Sequence, residues 1–169
     1  MQLNDKVIIV TGSTTGVGEA IARHCAGEGA HVVVHGRDET RGRAVVADIG
    51  NSAVFHCQEI TEPNAPHLIV NTAIEAFGKL DGLVNNAAWV VRSDLSTTSA
   101  EFFGRVFAIN VRAPLMLMQA AVPHLKRTKG SVVNIGSVNA YTGGKRQLDY
   151  AMSKGALVTM SRNLADMLA

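Results

Sequence analysis

The chain has 169 residues, 47% hydrophobic and 18% charged, with 16 basic against 14 acidic side chains for a net charge of +2. This is enough length and apolar content for one domain with a sizeable core, and the interspersed charges form no basic stripe of the kind that tracks nucleic acid. No apolar run approaches the roughly 18 residues that span a bilayer, and Met1 to Lys6 leads into a strand rather than a signal segment, so composition points to a soluble cytoplasmic domain with neither nucleic-acid nor membrane partners.

The two cysteines, Cys25 and Cys57, make no disulfide framework and read as buried free thiols. The six histidines fall into no metal-ligand spacing, so no metal site is expected, and His31 and His35 read as structural or solvent-facing.

Residues 6–10 (Lys-Val-Ile-Ile-Val) form a continuous apolar run, the pattern of a parallel strand buried on both faces. They lead into Thr11-Gly12-Ser13-Thr14-Thr15-Gly16-Val17-Gly18 and then a helix over 19–29. Glycines between strand and helix let backbone approach a phosphate without Cβ interference, and the helix presents free N–H groups and its positive dipole end. Strand before and helix after supply the context that a dinucleotide turn requires.

A second strand over 31–35 ends at Gly36-Arg37-Asp38. At this position a carboxylate would accept hydrogen bonds from ribose hydroxyls, whereas a guanidinium suits a 2′-phosphate. Gly36 offers no carboxylate and Arg37 offers a guanidinium, which favours NADP(H) over NAD(H); Asp38 next door works against that reading. A helix over 40–49, a strand over 53–58 ending at Glu59-Ile60, a helix over 64–77 and a strand over 81–84 follow. Asn85-Asn86 at the last strand's end read either as turn formers or as amides lining a cofactor cleft. Residues 89–98 form a loop, and a long helix over 99–121, interrupted at Pro114, carries Asn110 among apolar neighbours, where a buried amide needs partners.

The fifth strand, 131–135, delivers Ser137 just past its C-terminal end, where open α/β sheets bind ligands. After a glycine-containing loop, a helix over 149–168 places Tyr150 and Lys154 one turn apart on one face. A phenol has a pKa near about 10, so proton transfer at neutral pH takes about 4 kcal/mol of bias, and a nearby ammonium supplies the right sign. Five strands alternating with helices imply an α/β doubly wound parallel sheet of Rossmann type, order 3-2-1-4-5, in a single domain over 1–169.

In combination, Thr11-Gly12-x-x-x-Gly16-x-Gly18, Asn85-Asn86-Ala87, Asn110, Ser137 and Tyr150-x-x-x-Lys154 resemble the short-chain dehydrogenase/reductase family over essentially the whole chain, with members such as 3-oxoacyl-ACP reductases and glucose dehydrogenases. The resemblance implies hydride transfer between a nicotinamide and a carbonyl or secondary alcohol. By position it makes Tyr150 the general acid/base and Ser137 the group that orients the carbonyl. Lys154 would hold the nicotinamide ribose with Tyr150 and lower the phenol's pKa, and Asn110 would hold a relay water. Gly12, Ser13, Thr14, Gly16, Val17 and Gly18 would form the phosphate turn. Arg37 would favour NADP(H), Glu59 and Ile60 would lie at the adenine, and Asn86 and Ala87 on the adenosine side.

Three departures stand out: Ala88 where the family has Gly, Glu59 where it has Asp, and a length short of the family's usual one by two strands and a substrate loop. The last keeps a second reading open, a catalytically weak or inactive nucleotide-binding or interaction module. Trp89, Val90, Thr142 and Gln147 are candidates for the substrate pocket. The apolar faces of the helices at 99–126 and 149–168 either pack on the sheet or form a homodimer or homotetramer.

Overall fold

The computed structural model describes residues 1–142 and 145–168; the Gly143-Gly144 pair of the loop before Tyr150 lies outside them. Five strands, β1 (Val7–Val10), β2 (His31–Gly36), β3 (Ala53–Cys57), β4 (Gly82–Asn85) and β5 (Ser131–Asn134), form one sheet in the order β3-β2-β1-β4-β5. The pairs β1–β2, β1–β4 and β2–β3 are parallel, and the flanked, doubly wound order is the one expected from the alternation of elements. The chain divides into two compact units: Met1–Ala87 with Met116–Val133, and Ala88–Leu115 with Asn134–Ala169.

In the first unit β1 lies mid-sheet with all four residues buried, as a Val-Ile-Ile-Val run covered on both faces requires. Its register runs Val7↔His31 to Val10↔Val34 on one side and Ile8↔Gly82 to Val10↔Val84 on the other. The C-terminal ends of β1, β2 and β4 therefore finish level, which brings the turns after them to one edge. Helices α1 (Gly16–Gly27), α2 (Glu39–Ile49) and α3 (Ala65–Phe77) pack on β1, β2 and β3. Local chemistry sets their ends. Asp38 caps α2 by accepting from the Arg41 N–H at 3.0 Å, Pro66 sits in the first turn of α3, and Gly78 closes α3 in the left-handed region at φ 77°. Cys25 is buried as expected, but Cys57, at the end of the edge strand β3, is exposed.

At the opposite end of the sheet Asp81 ties β1 to β4. Its Oδ2 accepts from the Val7 N–H at 2.9 Å, and Lys6 and Lys79 pair with it at 3.2 and 3.1 Å. Its backbone donates to the Val7 carbonyl and accepts from Ser131 N–H. Burial pushes the Asp81 carboxyl up, but the Val7 N–H and the two ammonium groups outweigh it and hold the pKa below the ordinary value.

The second unit contains α4 (Ala100–Phe107), the first residues of α5 (Ala113–Thr128), α6 (Asn139–Thr142) and α7 (Leu148–Leu168). Ser99 caps α4 by accepting from the Phe102 N–H at 3.1 Å. The expected break at Pro114 takes the form of a π-helical turn just before it, Ala108–Arg112, in which the Ala113 N–H reaches back five residues to the Ala108 carbonyl. Pro114 has no N–H for the Asn110 carbonyl four residues earlier, so a regular α turn is already incomplete there.

Helix α5 also runs through Pro123 to Thr128, past the expected end at 121. The carbonyl that Pro123 leaves without an N–H belongs to the exposed Gln119, where water can take it. The helical stretch Ala100–Thr128 is thus 29 residues long, with mean hydropathy 1.3 over its most apolar window, of which 44% is buried. By length and composition alone it is long and apolar enough to cross a bilayer, although Glu101, Arg105 and Arg112 interrupt its apolar residues. A buried core helix meets the same criterion.

Asp81→Ala leaves the Val7 N–H without its acceptor and is expected to cost about 1–3 kcal/mol in urea denaturation at neutral pH. Because the folded-state pKa is lowered, the carboxylate's contribution is full above its ordinary value near about 4 and is lost as pH falls through the lowered one. The gap between wild type and variant should therefore close only in acid.

Candidate active site

The glycine turn joins β1 to α1 and is locked by Thr11 and Asn86. The Thr11 hydroxyl donates to the Val84 carbonyl at 3.3 Å and accepts from the backbone N–H groups of Asn86 and Ala87, each at 3.0 Å. The Asn86 amide donates to the carbonyls of Thr11 and Gly12 at 2.8 and 3.0 Å. Gly12 has φ +62°, and a Cβ there would sit 2.8 Å from Ala87 Cα. A Cβ on Gly18 would collide with the Asn86 amide nitrogen and the Gly12 carbonyl oxygen. Thr15, at the N-cap of α1, supplies no side-chain acceptor to the first turn, and Gly16 and Val17 are exposed. Close backbone, free helix donors and a turn with no room for side chains fit a pyrophosphate.

Ser13 and His35 hold the turn against β2. Ser13 N–H donates to the His35 carbonyl at 2.9 Å, His35 N–H to Ser13 Oγ at 3.0 Å, and Ser13 Oγ to the Val10 carbonyl at 2.6 Å. The Gly12 N–H points at His35 Nδ1 at 3.4 Å, an acceptor only in the neutral ring. Burial, and secondarily the neighbouring His56, lower the His35 pKa to about 4. Sequence reading left His35 open between structural and solvent-facing; its 2% exposure decides for structural.

The β2 terminus carries a spatial reason for Gly36. A Cβ there would meet the Thr14 side chain at 2.6 Å, so Thr14 occupies the volume that a side chain at 36 would need. The first side chain past the strand is Arg37, which pairs with Glu59 at 3.0 Å. Glu59 Oε1 accepts from the Thr61 N–H at 3.4 Å, and Ile60 between them is buried.

In the second unit the buried Asn110, on the π turn, accepts from the Trp89 N–H at 2.8 Å and donates to the Trp89 carbonyl at 3.2 Å and to Ser153 Oγ at 3.0 Å. Ser153 in turn donates to the Tyr150 carbonyl at 2.7 Å. Tyr150 and Lys154 are both buried on α7, and the Lys154 ammonium lies 5.8 Å from the centre of the Tyr150 ring. It donates to the Ile135 carbonyl at 2.6 Å, and burial lowers its pKa. Ser137 is half-buried, and its oxygen accepts from the Asn139 N–H at 3.2 Å.

Of the pocket candidates, Trp89 is half-buried under the Arg105 guanidinium, 4.6 Å from its ring centre, and Gln147 accepts from the Asn139 amide. Val90 and Thr142 are exposed. Four supports went unseen in the sequence: the Thr11 hydroxyl, His35, Ser153 and the Ile135 carbonyl. Only Ser153, three residues after Tyr150 on the same helix, had a readable signal.

A buried neutral histidine makes the turn acid-sensitive. With a folded pKa of about 4 against an ordinary 6.5, the unfolded chain binds the proton first, so stability falls as pH drops from 6.5 toward 4. Between about pH 7.5 and about pH 5 this single group accounts for about 2 kcal/mol. In urea unfolding at the two pH values, His35→Phe should remove about that much of the wild-type loss.

Comparison with known proteins agrees with this geometry. The family model described as short chain dehydrogenase matches residues 6–169. The chain is 35% identical over 161 residues to an L-fucose dehydrogenase of Bos taurus, covering 95% of this chain and 59% of the relative. It is 34% identical over 169 residues to an oxidoreductase of Thermotoga maritima, covering 98% and 66%. A short-chain dehydrogenase/reductase of unknown function from Caenorhabditis elegans, solved with cofactor, superposes with a TM-score of 0.92 at 28% identity, covering 99% of this chain and 66% of that one. The chain thus spans about three fifths of the length of the L-fucose dehydrogenases it matches. With its strand order, its glycine turn and a family match along nearly all its residues, the chain belongs to the short-chain dehydrogenase family.

Proposed function

We propose that this protein is an oxidoreductase that transfers a hydride between the nicotinamide of NADP(H) and a carbonyl or secondary alcohol, with Tyr150 as general acid/base. The observation that carries the reading is the buried Tyr150–Lys154 pair, one helical turn apart on α7. The nicotinamide, when bound, supplies or accepts the hydride; the chain's own residues do the rest. The turn from Gly12 through Ser13, Thr14, Gly16 and Val17 to Gly18 offers backbone N–H groups to the pyrophosphate, and Asn86 keeps that turn in shape.

Lys154 holds its ammonium 5.8 Å from the centre of the Tyr150 ring, on the same face of α7, where it would bind the nicotinamide ribose. Among the described residues Lys154 pairs with no carboxylate, and its ammonium donates to the neutral Ile135 carbonyl. Ser137 already accepts from the Asn139 N–H, which leaves its own hydroxyl hydrogen to donate to a substrate oxygen. The Asn110 side chain is occupied by Trp89 and Ser153, so its part in a water relay falls to its backbone carbonyl, to which Pro114 has no N–H to give. Its amide acts as a positioning group, fixing the turn of α7 that carries Tyr150 through Ser153.

Tyr150→Phe keeps the ring and removes the proton. Carbonyl reduction should fall by about 10²–10⁴-fold while NADPH affinity, read by fluorescence titration, stays within about twofold. A full rate in the variant would overturn the assignment.

We further propose self-association through the helices at 99–126 and 149–168. Phe103, Leu115, Met152 and Met167 are exposed along them. Light scattering at micromolar concentration should give the mass of two or four chains; a monomer would count against it.

A further inference from the structure

We propose that Glu59 sets the discrimination between NADP(H) and NAD(H) by holding Arg37 in an ion pair that a 2′-phosphate must displace. This inference rests on the dinucleotide-binding reading above and assigns Glu59 a role distinct from contact with the adenine.

The pair is built into the sheet. Strands β2 and β3 run in parallel register through Gly36↔Cys57, and the Gln58 N–H continues the ladder to the Gly36 carbonyl at 3.1 Å. Arg37 and Glu59 therefore leave adjacent strand ends with their backbones fixed side by side. With Thr14 in the space above Gly36, Arg37 presents the first side chain past β2. Its Nη1 donates to Glu59 Oε2 at 3.0 Å, and Glu59 is steadied from its other oxygen by the Thr61 N–H at 3.4 Å.

The neighbouring cations are also satisfied: Arg41 pairs with Asp38 at 3.2 Å and Arg43 with Glu39. Each guanidinium at this strand end thus has its own carboxylate. An incoming phosphate meets no uncommitted positive charge among Arg37, Arg41 and Arg43. It must draw Arg37 away from Glu59 and then lie beside the carboxylate it displaced. A cofactor without the 2′-phosphate meets neither obstacle, so the ion pair narrows, without reversing, the preference for NADP(H) that Arg37 gives. The length of Glu59 matters here, because an aspartate would withdraw the carboxylate by roughly one C–C bond, about 1.5 Å, and leave Arg37 beyond hydrogen-bond reach.

The test is binding, read by the fluorescence of NADPH and NADH on titration and by competition with 2′,5′-ADP. Glu59→Gln keeps the size and the Thr61 contact but removes the charge. It should tighten NADPH and 2′,5′-ADP by about 3- to 10-fold and change NADH by less than about twofold. Glu59→Asp should shift the ratio the same way by a smaller factor. Arg37→Gln should weaken NADPH and 2′,5′-ADP and leave NADH within about twofold. If both Glu59 variants bind NADPH and NADH in the wild-type ratio, the inference fails while dinucleotide binding stands. If wild type and variants bind neither nucleotide, the dinucleotide-binding reading itself fails. Thermal melting of each variant within a few degrees of wild type confirms that the exposed pair was altered without unfolding the strand ends.

Discussion

One side-chain amide shapes the glycine turn between β1 and α1. Asn86 donates to two consecutive carbonyls, those of Thr11 and Gly12, while the Thr11 hydroxyl gathers the N–H groups of residues 86 and 87. Buried polar groups must be paired, and these pair with one another across the ends of β1 and β4. The consequence is a turn whose geometry is fixed before any ligand arrives. It also explains the glycines: side chains at Gly12 and Gly18 would meet Ala87 and Asn86 themselves, not merely the space reserved for a phosphate. His35 extends the lock to β2, so three strand ends hold one loop.

The second unit solves a similar problem with a π turn. The extra residue in that turn and the absent N–H of Pro114 accompany a buried Asn110 whose three hydrogen bonds join the turn to Trp89 and Ser153. The start of α7 is anchored independently. Asp149, fully buried, accepts from the Thr98 hydroxyl with both oxygens at 2.8 Å, and its N–H donates to Ser93 Oγ. Tyr150 and Lys154 thus sit on a helix held on both sides of the phenol in sequence, by Asp149 and by Ser153.

Charge is handled differently in the two places. Around the end of β2, Arg37, Arg41 and Arg43 each pair with a carboxylate. At α7 the single ammonium is desolvated and bonded to a neutral carbonyl. Burial lowers that ammonium's pKa. The two places therefore hold opposite arrangements, paired guanidinium groups at one and a buried ammonium on a neutral carbonyl at the other.

Periodicity and punctuation in the sequence were sufficient for the sheet order, the glycine turn, the two-residue core of α7 and the family, because each depends on contacts within a few residues or on a strand's burial on both faces. The Lys6 strand start, the helix end at 121 and the burial of Cys57 were misjudged by local rules, since the exposure of Gln119 and the open edge of β3 are properties of position in the fold. The long-range pairings around the candidate site were decided only in three dimensions. Asn86 reaches residues 11 and 12, Asn110 reaches 89 and 153, and Arg37 reaches 59, across separations over which a chain pattern carries no distance information. Sequence alone marked Asn110 as a buried amide in need of partners, Asn86 as a turn former or cleft amide and Arg37 as a guanidinium suited to a 2′-phosphate; the crossover of parallel strands and the π turn determined which partners they found.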